Sequence, residues 1–162
     1  MTKKRITNSN EQLTTNFKIS EFWSVKYGGH VDFDIPQCLI DAAQIIRDFY
    51  GSTLITSTIR LKDKFGYHKS GNAIDLLPLK NTLTNIKNFG DECIKYQKTK
   101  DSDLIIKLRK AGVEGFGIEG NNCIHLDFRN GKNCASKDKY GSYIVFEWHT
   151  DGTPTGKSTV IY

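Results

Sequence analysis

The chain is predicted to fold as one α+β domain, a small and largely antiparallel sheet flanked by helices. Three observations carry this prediction. Helix-like and strand-like stretches mix along the 162 residues without regular βαβ alternation. Leu39, Ile40, Ala43, Ile46 and Phe49 recur at helical spacing. From Gly115 to Phe128 the sequence reads as a hairpin in which apolar and polar residues alternate.

Taken in order, residues 1–12 read as a flexible polar lead and residues 13–162 as the domain. Phe17, Phe22 and Trp23 are packing anchors, and Ser20 is placed to cap a short helix before Glu21-Phe22. Asp34-Ile35-Pro36 opens the first long helix, with Asp34 as the capping candidate and Gly51 as its end. Ser52 to Arg60 is rich in β-formers and delivers Arg60 at the end of a strand. A charged loop runs from Leu61 to Tyr67, a second strand covers Ala73 to Leu77, and Pro78 stops it.

Residues 82–98 read as a helix with Leu83, Ile86, Phe89, Cys93 and Ile94 on one side, although Gly90 weakens that pattern. Asp101-Ser102-Asp103 caps a further helix that Gly112 closes. In Cys123-Ile124-His125-Leu126-Asp127-Phe128, His125 and Asp127 share one face. Ser142 to Trp148 is a last strand, Thr153 to Lys157 a turn, and Ser158 to Tyr162 a β-like tail.

Bulk composition narrows the function classes. Charged residues make up 25% and hydrophobic ones 38%, with 14 Gly and 3 Pro, as in an ordinary globular chain. No run approaches the ~18 apolar residues of a membrane span, so no membrane insertion is expected. The basic start Met1 to Asn8 is followed by polar residues without an apolar core, so no secretory signal is expected. The net charge of +5 mildly favours an anionic partner, but the lysines are scattered and not gathered in one basic run, so no nucleic-acid partner is expected. Cys38, Cys93, Cys123 and Cys134 form no Cys-x-x-Cys pair, which argues against a zinc ribbon or a thioredoxin-type motif. Cys38 and Cys123 read as core residues, and a Cys123–Cys134 bridge remains open.

The densest chemical signal is His68-Lys69-Ser70-Gly71-Asn72-Ala73-Ile74-Asp75. Zinc accepts imidazole nitrogen and carboxylate oxygen, and a catalytic zinc takes three protein ligands with one open position. A Gly-containing path from loop to strand can bring His68 and Asp75 to one metal, and His125 is the natural third ligand. A lone His is more often structural, and Asp75 alone could be a turn or cap residue. The two motifs together are much less common by chance.

These motifs resemble the M15 family of zinc D-Ala-D-Ala metallopeptidases. The likeness extends to Asn16-Phe17 with Ser20-Glu21-Phe22, similar to an N-F-x-x-x-E-F opening of one M15 subgroup. Thr56-Ser57-Thr58-Ile59-Arg60 is similar to the family's T-S-G-Y-R strand, with Thr58-Ile59 replacing Gly-Tyr. Gly115-Phe116-Gly117-Ile118 stands where the family has the segment before its second His. The resemblance covers roughly residues 13–150 and implies a hedgehog/DD-peptidase-like fold and a Zn2+ bound by His68, Asp75 and His125.

It also implies a peptidase acting on peptidoglycan stem peptides or cross-links, of carboxypeptidase or endopeptidase type. The absence of a signal peptide suits a monomeric phage-type lysin, cytoplasmic until released or virion-associated, that acts on the cell wall. A general base is required within reach of the attacking water. Family members commonly place it three residues before the last His, where this chain has Asn122. Glu119, six before His125, is the expected base and is similar to a Glu of the hedgehog domain at that spacing. Ser57 and Arg60 are expected to meet substrate, Arg60 pairing with a carboxylate or polarising the scissile carbonyl. Asp127 is expected to orient a ligand or Arg60, with a general-base role as its alternative. Glu147 and His149 either line the cleft or are ordinary strand-end residues. Two other readings remain: a zinc-binding module without hydrolysis, and a virion structural protein.

Overall fold

The computed structural model describes residues 1–23, 30–63, 66–118, 123–128, 143–148 and 154–161, the last two segments as backbone pairing alone. Twelve elements follow one another in this description: β1 (Lys3–Ile6), α1 (Ile19–Trp23), β2 (Phe33–Pro36), α2 (Gln37–Tyr50), β3 (Thr53–Ser57), β4 (Ala73–Pro78), α3 (Thr82–Thr99), α4 (Asp103–Ala111), β5 (Gly115–Ile118), β6 (Ile124–Asp127), β7 (Tyr143–Trp148) and β8 (Pro154–Ile161). The chain is α+β, and every described strand pairing is antiparallel.

The central sheet has the order β3-β4-β6-β5, and two-stranded ribbons β1-β2 and β7-β8 stand beside it. Its two faces differ because alternate residues point opposite ways. Ile55, Ile74, Leu76, Ile124, Leu126, Phe116 and Ile118 are buried in the hydrophobic core. Against them pack Leu39, Ile40, Ala43 and Ile46 of α2, Ile86, Phe89 and Cys93 of α3, and Leu104, Ile105 and Leu108 of α4. Asp75, His125 and Asp127, which alternate with them on the central strands, belong to the other face, and a bulge in β3 brings Ser57 to it as well.

Most helix ends follow the sequence signals. Gly51 and Gly112 end α2 and α4 with φ of 83° and 111°, a region open to glycine at little cost. The Ser102 side chain accepts from the Ile105 N–H and caps α4. Phe17 and Phe22 are fully buried with their rings 6.0 Å apart edge to face.

Five expectations are corrected. Residues 1–12 are not a uniformly flexible lead: Lys3–Ile6 pairs with Phe33–Pro36, and Ile6 is fully buried. One buried Ile among basic residues gives no strand periodicity. Asp34 does not cap α2, because it lies in β2 and its carboxylate takes Arg5 Nη1 at 3.3 Å. The Gln37 N–H is satisfied instead by the Thr2 carbonyl at 3.0 Å. Ser20 lies inside α1, where Glu21 Oε2 accepts from the Lys18 N–H at 2.8 Å. Phe49 and Leu83 are 49% and 46% exposed, off the buried faces of their helices. β8 begins at Pro154, within the expected turn.

Candidate metal centre

The site is built on one rung of the sheet. Asp75 lies opposite His125 in the β4–β6 ladder, and His125 lies opposite Gly117 in the β5–β6 ladder. On the other flank Ser57 lies opposite Asp75. Regular pairing would put Ser57 on the core face, two residues beyond Ile55. A bulge between Ile55 and Ser57 inserts an extra residue and turns Ser57 toward the site.

His68 enters from the turn that precedes β4. The Asn72 N–H donates to the Tyr67 carbonyl at 2.8 Å, and the Gly71 N–H donates to the His68 carbonyl at 3.1 Å. Gly71 has φ of 71°, and a Cβ there would come within 2.9 Å of the Phe33 ring. Glycine therefore answers both a backbone and a packing demand at this position.

The tautomers follow from the partners. A carbonyl oxygen only accepts, so His68 Nδ1–H donates to the Thr58 carbonyl at 2.6 Å and leaves Nε2 facing inward. His125 Nε2–H donates to Asp127 Oδ2 at 3.2 Å and leaves Nδ1 facing inward. Asp75 Oδ1 completes the triangle. It lies 3.2 Å from His68 Nε2 and 2.9 Å from His125 Nδ1, and the two nitrogens are 3.2 Å apart. Ligand atoms ~2.0–2.1 Å from a tetrahedral zinc stand about 3.3 Å apart, so this donor set fits such an ion with small adjustment. The group His68, Asp75 and His125 can hold a metal ion, and its outer hydrogen bonds are those that orient ligating imidazoles.

Three inward lone pairs repel one another unless a cation or proton sits among them. In the metal-free protein a proton does this on His125. Burial lowers its pKa, but the hydrogen bonds to Asp127 and Asp75 outweigh burial and raise it to about 10. For Asp75 burial raises the pKa, yet the hydrogen bond with the protonated His125 ring wins and holds the carboxyl well below the usual range.

Asp127 is 1% exposed and stands opposite Gly115 in the ladder. A Cβ on Gly115 would overlap the Asp127 carboxylate, so the glycine makes room for the group that orients His125. Arg60 reaches the site from the loop after β3. Its Nη2 pairs closely with Asp75 Oδ2, and its Nε donates to Ser57 Oγ at 2.8 Å. Ser57 and Arg60, expected to meet substrate, are thus linked here to a candidate ligand.

Glu119, Asn122 and His149 lie outside the described residues, and Glu147 is described only through the backbone of β7. Cys38 and Cys93 are buried, and burial pushes the Cys38 thiol up to about 12; Cys134 lies outside the described residues. Sequence reasoning did not anticipate three supports of the site: the Thr58 carbonyl, the bulge and the space above Gly115. The first two are backbone features and leave no side-chain signal. The two glycines in Gly115-Phe116-Gly117 were the available signal for the third. Comparison with protein-family models, curated proteins and solved structures found no match for this chain.

Proposed function

We propose that the chain is a zinc metallopeptidase that hydrolyses peptide bonds of peptidoglycan, and that its fold is of the hedgehog/DD-peptidase type. The observation that carries this reading is the convergence of His68 Nε2, Asp75 Oδ1 and His125 Nδ1, each held from behind by a protein group. Two imidazoles and one carboxylate make a borderline-soft donor set that suits zinc better than calcium or magnesium. The resemblance of the two His/Asp motifs to M15 peptidases supplies the substrate class.

When bound, zinc polarises a carbonyl and draws the pKa of a coordinated water toward ~7. The chain's own residues divide the remaining work. His68, Asp75 and His125 bind the ion, and Asp127 and the Thr58 carbonyl orient the imidazoles. In hydrolysis the water oxygen bonds to the carbonyl carbon and the C–N bond breaks. Glu119 is assigned the water proton and its delivery to the leaving amine, and Arg60 the steadying of negative charge near Asp75.

Asn122 occupies the position where the family commonly places its base, which favours a second reading, a zinc-binding module without hydrolysis. Mass spectrometry of purified peptidoglycan digested with and without chelator separates the two. The peptidase reading expects new stem-peptide fragments that vanish with chelator and with Glu119→Ala. Zinc binding without any fragments establishes the second reading.

A further inference from the structure

We propose that Arg60 is a positioning residue of the metal centre, holding Asp75 to a single donor oxygen. This inference rests on reading His68, Asp75 and His125 as a zinc site.

The two oxygens of Asp75 face different neighbours. Oδ1 faces His68 Nε2 and His125 Nδ1, whereas Oδ2 is taken by Arg60 Nη2. A carboxylate can give one oxygen or both to a metal. Were Asp75 to give both, three side chains would supply four donor atoms, and a water or substrate added to them would make the ion five-coordinate instead of tetrahedral. A guanidinium on Oδ2 removes the second oxygen by a charge-assisted bond.

Arg60 is itself braced for this task. Its Nε donates to Ser57 Oγ at 2.8 Å, and its backbone N–H donates to the His68 carbonyl at 3.0 Å. The bulge in β3 puts Ser57 on the rung of Asp75, so Ser57 and Asp75 offer adjacent acceptors to one guanidinium. The planar fork of Arg reaches both at once, whereas Lys offers one point charge. The pair is shielded from water and salt, with side-chain exposures of 19% for Arg60 and 2% for Asp75.

The test loads wild type, Arg60→Ala and Arg60→Lys with Co2+, whose visible spectrum reports coordination number and geometry. Chelator competition measures zinc affinity in parallel, and circular dichroism checks the fold. Arg60→Ala is expected to bind metal stoichiometrically while its visible absorption falls roughly twofold or more, as a second carboxylate oxygen joins the ion. Arg60→Lys is expected to recover part of that intensity, and Ser57→Ala to shift it in the same direction by less. An unchanged spectrum in Arg60→Ala overturns the inference and leaves Arg60 to substrate. Loss of metal from both Arg60 variants also overturns it, since Arg60 then merely holds the site together. A wild type that binds neither Co2+ nor Zn2+ overturns the zinc reading itself.

Discussion

Asp75 and His125 stand opposite each other on β4 and β6, with Asp75 Oδ1 2.9 Å from His125 Nδ1. This pair is the base of the metal triangle and the place where the sheet presents charge to a largely buried face. Asp75→Ala strips the donor set to two nitrogens and leaves Arg60 and His125 without their shared carboxylate. Stoichiometric metal binding is expected to be lost. The metal-free fold is expected to lose about 3 kcal/mol or more, because one partner of a buried ion pair is gone. Urea denaturation in chelator measures the second effect.

The raised pKa of His125 sets a pH dependence. The folded pKa of about 10 lies above the ordinary 6.5, so the proton stabilises the fold fully below pH 6.5. That stability is lost as pH rises from 6.5 through about 10. Asp75 acts in the opposite sense: its depressed pKa stabilises the fold above 3.8 and is lost as pH falls below that value. Denaturation midpoints in chelator are expected to fall toward alkaline pH. Metal takes the place of the His125 proton, so binding near neutral pH is expected to release protons. Calorimetry in buffers of different ionisation enthalpy measures that release.

Asp127 reaches the metal centre through the His125 ring, 3.2 Å from its carboxylate. Removing such an outer partner typically costs ~10–100-fold in metal affinity. Asp127→Ala is expected to fall in that range while the fold persists. A chelator-competition titration gives the number, and an unchanged affinity would remove Asp127 from the site.

Two glycines are expected to be intolerant for different reasons. Gly115→Ala places a methyl into the Asp127 carboxylate, so metal affinity and stability should both fall. Gly71→Ala meets a left-handed backbone at φ 71°, costing ~1–2 kcal/mol, and meets the Phe33 ring as well. The turn that carries His68 should shift. Thermal melts with and without zinc separate the two, because a displaced His68 also shrinks the stabilisation that zinc confers.

The candidate ligand positions were legible in the sequence by two signals: His68 and Asp75 by their spacing across Gly71, and His125 by its place on a strand whose residues alternate. Ile124-His125-Leu126-Asp127 alternates, and the β6 ladder then sets His125 beside Asp75. Helices α2 and α4 were legible through apolar spacing and glycine stops, and α3 through apolar spacing alone. What escaped was set by the backbone or by partners distant in sequence. β1 owes its existence to β2 and to one buried Ile6, and its basic residues carry no pattern. The Ser57–Arg60–Asp75 chain depends on a bulge, which shifts a residue between faces without changing the composition of the strand. Phe49 fits a helical repeat by spacing, yet about half of it is exposed to solvent.

Metal analysis of dialysed protein decides whether His68, Asp75 and His125 hold one zinc ion between them. After exposure to Zn2+ and removal of excess, wild type is expected to retain one zinc per chain, and His68→Ala, Asp75→Ala and His125→Ala to retain none. A wild type without zinc, or single variants that keep it in full, would rule out a zinc centre at these residues.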